Sequence, residues 1–184
     1  MEKRNRISAG YLEQQRQLHE NPKYGVASLH YARIVQELLT HYKLGSVSDY
    51  GAGKQRLRDA LERLGAPRFE YFPYDPVFPE YGEPRPAELV CCIDVLEHVE
   101  PDCLDSVLRD LEEITTKYAF LSVHSKPAMK LLPDGRNAHL TQKPSSWWLP
   151  RLCRHFEIEH LKKTDDGFWV VATRRADDDG AASR

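Results

Sequence analysis

Apolar positions along the chain change spacing from segment to segment, and each spacing predicts an element. From Tyr31 they fall at Tyr31, Ile34, Val35, Leu38, Leu39 and Tyr42, the recurrence of one buried helix face, with Ser28 placed as an N-cap and Gly45 beyond the end. A short strand over 46–50 then runs into Gly51-Ala52-Gly53, and a helical segment over 56–64 stops at Gly65. The aromatic run 69–74 predicts a second strand ending at Asp75, after which Pro76, Pro79, Pro84 and Pro86 forbid regular structure. The run 89–93 (Leu-Val-Cys-Cys-Ile) is continuously apolar, as in a parallel strand covered on both faces. Leu104, Val107, Leu108, Leu111 and Ile114 give another helix, followed by a strand around 118–123 and a long loop. A helix over 146–155 interrupted at Pro150, and strands near 156–160 and 168–173, complete the pattern.

Alternating strands and helices predict an α/β fold, a doubly wound and mostly parallel sheet in one domain over 28–175. The stretch 8–20 is helix-compatible with a thin apolar stripe, so 1–27 reads as an N-terminal arm or lid. The polar end 176–184 reads as a disordered tail. With 184 residues, 41% hydrophobic and 29% charged, and no apolar run long enough to cross a bilayer, a soluble protein without a membrane partner is expected. No secretory signal is evident at the N-terminus, so a cytoplasmic location is the expectation. Cys91, Cys92, Cys103 and Cys153 lack CxxC spacing and read as reduced thiols.

Chemistry-bearing residues gather after the strands, where open parallel sheets bind ligands. Asp49-Tyr50-Gly51-Ala52-Gly53 follows the first strand; its glycines either admit a ligand close to the backbone or simply make a tight turn. The dinucleotide fingerprint would need glycine where Arg56 stands, and no phosphate-loop Gly-Lys-Ser/Thr ending is present. Asp75, after the second strand, can accept ribose hydroxyls or cap a turn before Pro76. Asp94-Val95-Leu96-Glu97-His98-Val99-Glu100-Pro101 closes the apolar strand, either as a polar site or as a helix-capping acidic cluster.

These three elements at these spacings resemble class I S-adenosylmethionine (SAM) dependent methyltransferases over residues 47–173. The resemblance implies that Asp49, Gly51 and Gly53 surround the methionine part of SAM, that Asp75 holds the ribose, and that the segment from Asp94 borders the methyl-transfer pocket. The family's third glycine corresponds to Gln55. Thirteen residues, Pro76 to Glu88, leave little room for the usual third strand, so a truncated sheet edge is expected and the adenine-contacting acid is unassigned.

Methyl transfer needs alignment first and a base only for hydroxyl acceptors. His98, His124 and His139 are the candidate bases. Glu97 and His98, with Asp94 before them and His139 downstream, are also similar to the metal-binding segment of small-RNA 3′-terminal 2′-O-methyltransferases. That resemblance implies a mixed oxygen and nitrogen site at Asp94, Glu97, His98 and His139 for Mg²⁺ or Mn²⁺. The same run also occurs in metal-free methyltransferases.

The chain has a formal charge of −2, yet 124–155 carries Lys126, Lys130, Arg136, Lys143, Arg151 and Arg154 against Asp134 alone, with Trp147 and Trp148 among them. Two readings follow: a wall for a small-molecule or nucleotide-like anionic acceptor, an RNA end included, or a solvated loop over core tryptophans. A SAM-binding module without catalysis is the remaining alternative.

Overall fold

The computed structural model describes residues 5–175; the tail expected over 176–184 lies outside them. Five helices, α1 (Ala9–His19), α2 (Ser28–His41), α3 (Arg56–Arg63), α4 (Leu104–Ile114) and α5 (Ser145–Leu152), surround one sheet. Its strands are β1 (Ser46–Tyr50), β2 (Glu70–Tyr74), β3 (Ala87–Ile93), β4 (Thr115–His124), β5 (Phe156–Lys163) and β6 (Gly167–Arg174), ordered β2-β1-β3-β4-β6-β5. β2, β1, β3 and β4 pair in parallel, whereas β6 is antiparallel to both β4 and β5. Parallel pairing needs crossovers, which α3 and α4 supply, while the last two strands need only the short turn at 164–166. The sheet ends at β2: the proline-rich connection to β3 holds one short 3-10 turn, Pro79–Tyr81, and no strand. The truncated edge is therefore observed.

The strand alternation builds two apolar layers. Val90, Cys92, Ala119, Leu121 and Val170 face α4 and α5, packing on Leu104, Leu108, Leu111, Trp148 and Leu152. Leu89, Cys91, Ile93, Phe120 and Val171 face α2 and α3, packing on Val35, Leu39, Leu57 and Leu61. Cys91 and Cys92 thus point to opposite faces, as the period of 2 in a strand demands. Leu39, Leu57, Leu89, Leu121 and Trp148 are fully buried, each contributing about 1.5–3 kcal/mol of transfer free energy against an extended chain.

Local chemistry corrects three boundaries. Ser28 is the first residue of α2 rather than its N-cap, because the turn begins at Ala27, which is already right-handed. The left-handed residue beyond α2 is Lys43, at φ 52°, not Gly45. Pro150 lies inside α5 without interrupting it; the helix starts at Ser145, so the proline removes one carbonyl's partner rather than a whole turn.

The arm is tied down mainly by polar contacts. Ser8 caps α1 through its side chain and donates to Glu100 from both its backbone N–H, at 2.7 Å, and its hydroxyl, at 2.8 Å. Tyr11 donates to the His98 carbonyl at 2.8 Å, and Lys54 donates to the Asn21 carbonyl at 2.9 Å. Arg6 pairs with the buried Asp110 and with Glu83. Tyr11 also joins Leu132 and Ala138 in a small apolar cluster, linking the arm to the β4–α5 loop.

Candidate active site

The loop after β1 is pinned from beneath by β2. Gly51 and Ala52 both donate to the Tyr74 carbonyl, at 2.7 and 2.9 Å. Gly51 sits at φ 83°, and a Cβ placed there would lie 2.4 Å from Cγ2 of Val95. Glycine is therefore required both by conformation and by the close approach of the β3 loop. Gln55 also has positive φ, at 56°.

Asp75 is buried and holds this loop in shape. One carboxylate oxygen accepts from Gly53 N at 3.0 Å and the other from Val77 N at 2.9 Å. Its turn-capping role is thus visible, and each oxygen keeps a further lone pair. Burial raises its pKa, opposed by those two N–H groups. Asp49 is buried and accepts from the Tyr71 hydroxyl; desolvation pushes its pKa up to about 7, with the Tyr71 bond opposing and the charge of Asp75 adding.

Asp94 follows β3 at φ 52°, an uncommon conformation for a residue with a side chain. Ser122 on β4 fixes it there: the Ser122 hydroxyl donates to the Asp94 carboxylate at 2.6 Å, and Asp94 N donates back to that hydroxyl at 3.0 Å.

A cavity of about 440 Å³ lies above these loops, lined among others by Asp49, Gly51, Gly53, Asp94, His98 and His139, within the range of about 300–1,000 Å³ typical of small-molecule sites. The arm roofs it with Gln15, His19 and Tyr24, and the β4–α5 loop closes it with Met129 and Lys130. Burial depresses the His19 imidazole to about 4, with nearby Lys54 adding, and lifts the Tyr24 phenol to about 12. His19, Tyr24 and Gln15 were not marked by the sequence as site residues. The thin apolar stripe of α1 is the signal that could have found Gln15 and His19, since a helix with little apolar surface must present its polar side to something.

Of the predicted site residues, Asp75, Glu97 and His124 stand outside the cavity lining. Glu97 is completely buried just below it. One of its oxygens accepts from His124 N at 2.8 Å, while Oε2 has no hydrogen-bond partner. Burial raises its pKa well above the usual range, and the charge of Asp94 adds to this. His98 Nδ1 donates to the Ala138 carbonyl at 2.8 Å, and His139 Nδ1 to the Lys126 carbonyl at 2.6 Å. Burial holds His98 at about 3 and lowers His139, so both rings are neutral near physiological pH. The His139 and His124 rings lie 4.9 Å apart. Donor atoms of Glu97, His98 and His139 lie within 4.8 Å of one another, and Asp94 is not in that group. The Asp94 carboxylate, the fourth member of the set expected from the sequence, accepts instead from the Ser122 hydroxyl.

The basic segment is also revised. Arg136 pairs with Asp134, and Lys126 with Asp166, each at 2.7 Å. Arg151 stacks over the Trp147 ring at 3.5 Å, and Trp148 is wholly buried in the core. Only Lys130 of these cations lines the cavity, joined by Lys23 from the arm.

No family model matches the chain, and no curated protein matches it. Solved structures do. A 1,6-didemethyltoxoflavin-N1-methyltransferase from Burkholderia thailandensis, with bound 1,6-didemethyltoxoflavin and S-adenosylhomocysteine, matches with a TM-score of 0.65 at 14% identity, over 96% of this chain and 94% of that one. DhpI in complex with SAM matches at 0.56 and 12%, over 92% and 100%. Magnesium protoporphyrin IX methyltransferase from Synechocystis, with bound S-adenosylhomocysteine, matches at 0.53 and 14%, over 91% and 95%. The chain has the Rossmann-like fold of class I methyltransferases. Among the described residues no helix is long and apolar enough to cross a membrane.

Proposed function

We propose that the protein is a SAM-dependent methyltransferase acting on a small, anionic acceptor. The observation that carries this reading is the roofed cavity of about 440 Å³ over the ends of β1 and β3, bordered by a buried acid, Asp49, and by a glycine loop that no side chain could follow. When bound, SAM supplies an electrophilic methyl group on a sulfonium.

The residues present fit that cofactor. Gly51 lines the cavity with its missing Cβ giving room to Val95, and Asp49 faces the cavity where an ammonium group would satisfy its desolvated carboxylate. Gly53 and Asp94 complete this side. Asp75 keeps the loop in place, and its remaining lone pairs suit ribose hydroxyls.

His98 and His139 line the cavity on the acceptor side. A neutral imidazole there can take a proton from an acceptor hydroxyl while the packed walls hold the reacting atoms in line. The arm, through His19 and Tyr24, excludes water from above. Lys130 and Lys23 at the cavity favour an anionic acceptor. A small acceptor fits better than an RNA end, because Arg136 and Lys126 are already paired and Trp148 has no exposed face for a base.

Incubation with SAM carrying a labelled methyl group and a panel of small phenolic, carboxylate and nucleotide acceptors tests the reading. Label transfer with stoichiometric S-adenosylhomocysteine release is expected. SAM retention with no transfer to any acceptor or cell extract would point instead to a binding module without catalysis.

A further inference from the structure

We infer that the cavity mouth is a subsite for an anionic amphiphile, a small acid whose charge meets Lys23 and Lys130 and whose apolar part lies across Val26 and Met129. This names the class of acceptor within the methyltransferase reading, on which it rests.

Exposed apolar side chains single out this mouth. Six large ones are exposed among the described residues: Val26, Leu29, Leu64, Met129, Leu131 and Leu161. Leu64, at the end of α3, and Leu161, within β5, stand alone, as scattered surface leucines commonly do. The other four fall within 26–29 and 129–131, and from those two segments Val26 and Met129 line the cavity. Met129 is fully exposed, and Leu131 is 61% exposed. Apolar surface gathered around a cavity, rather than scattered, marks a place where a ligand excludes water. The unbranched thioether of Met129 adapts to a partner of irregular shape.

The backbone imposes that exposure. Asn137 accepts from Ala128 N and donates to the Ala128 carbonyl, both at 2.9 Å, and Ala138 N donates to the Lys130 carbonyl at 3.1 Å. Leu132 and Ala138 are buried in one cluster with Tyr11 of the arm. Anchored on both sides, Met129 and Lys130 are held at the rim instead of folding back into that cluster. On the other segment, the Val26 carbonyl accepts from Leu29 N at 3.1 Å as the chain turns into α2.

Charge decides the occupant. Lys23 and Lys130 line the cavity, and neither ammonium has an acidic partner among the described residues, unlike Lys126 and Arg136. Asp49 and Asp94 line it from the ends of β1 and β3, so an anion is repelled from the floor and attracted to the lysines. An apolar cation would be repelled by those same lysines. The occupant that satisfies both the cations and the bare apolar rim is an acid with a hydrocarbon or aromatic part, which gains affinity by covering Met129 and Val26.

Calorimetric titration of the full-length protein with decanoate, kept below its micelle-forming concentration, tests this, with butyrate and decyltrimethylammonium as controls. Each titration is run with and without S-adenosylhomocysteine. One equivalent of decanoate is expected to bind at least about 10-fold more tightly than butyrate, since each methylene covered adds up to about 4-fold. Decyltrimethylammonium should bind more weakly than decanoate. M129S and V26S should each weaken decanoate by roughly 3-fold or more and leave butyrate within about 2-fold. L161S, away from the mouth, should change neither; circular dichroism confirms that each variant is folded. Decanoate no tighter than butyrate, equal affinity for decyltrimethylammonium, or decanoate affinity unchanged in both M129S and V26S overturns the subsite. Binding to phosphatidylglycerol vesicles, lost in M129S, without binding of monomeric decanoate also overturns it and assigns the rim to a membrane surface. Titration of the same samples with S-adenosylhomocysteine alone separates these failures from failure of the methyltransferase reading, because that ligand reads the floor of the cavity rather than its rim.

Discussion

Asp49 offers the most quantitative consequence of the proposed cofactor pose. Its carboxyl titrates at about 7 in the folded protein, chiefly because burial removes water from the charged form. If Asp49 receives the ammonium group of SAM, only the ionised form binds well, so affinity must rise with pH below 7 at about tenfold per unit. Between pH 5 and pH 7 the ionised fraction grows from about 1% to about half, so SAM affinity should rise roughly 50-fold. An α-amino group titrates near 8, so affinity should level off and then fall above that pH. Asp49→Asn should abolish the dependence over pH 5–7 and weaken binding at pH 7.5 by roughly 1.5–3 kcal/mol, the contribution of a hydrogen bond to a charged group.

Stability supplies the control, with the opposite sign. Because the folded pKa is raised from 3.8, the unfolded chain ionises first as pH rises, and Asp49 costs stability progressively from about pH 4 to pH 7. The cost is about 1.4 kcal/mol per pH unit, roughly 4 kcal/mol once the folded carboxyl also ionises. Asp49→Asn should therefore gain stability relative to wild type on going from pH 4.5 to pH 8, followed by thermal or urea unfolding. Calorimetric titration with SAM across pH 5–8 checks the binding side. An affinity flat over pH 5–7 in the wild type, or an equal slope in Asp49→Asn, would refute the assignment.

Other expectations follow from packing and pairing. Gly51→Ala sets a methyl group against Val95 in a left-handed backbone and should cost roughly 2–4 kcal/mol in urea unfolding; adding Val95→Ala should restore part of that loss. Trp148→Ala empties a fully buried site and should destabilise by about 3–5 kcal/mol, measured as a lowered denaturation midpoint. Arg136→Glu and Lys143→Glu, away from the cavity lining, should leave acceptor affinity within about 2-fold, whereas Lys130→Ala should weaken an anionic acceptor by about 0.5–1.5 kcal/mol, as for a partly screened charge.

Much of this architecture was legible in the order of residues. The α2 and α4 stripes and the apolar run of β3 declare their burial, because helices and two-sided strands repeat their apolar positions at fixed periods. The proline-rich stretch after Asp75 announced the missing strand. What stayed illegible depends on contacts between distant segments. Ser122 captures Asp94 from a neighbouring strand, which no local spacing near Asp94 reveals. Trp148 and the paired cations looked like an acceptor wall because burial and ion pairing at Asp134 and Asp166 are tertiary facts. The roof residues His19 and Tyr24 lie on an arm whose weak apolar stripe says little about where it docks.

The central claim is that the cavity above β1 and β3 is a SAM site. Calorimetric titration of the full chain with SAM and S-adenosylhomocysteine, with NAD as control, tests it most directly. Binding of both sulfur ligands at one equivalent, with none for NAD, is the predicted result. Failure of both sulfur ligands to bind, or equal binding of NAD, would contradict it and leave the glycine loop and Asp75 as structural features of the turn alone.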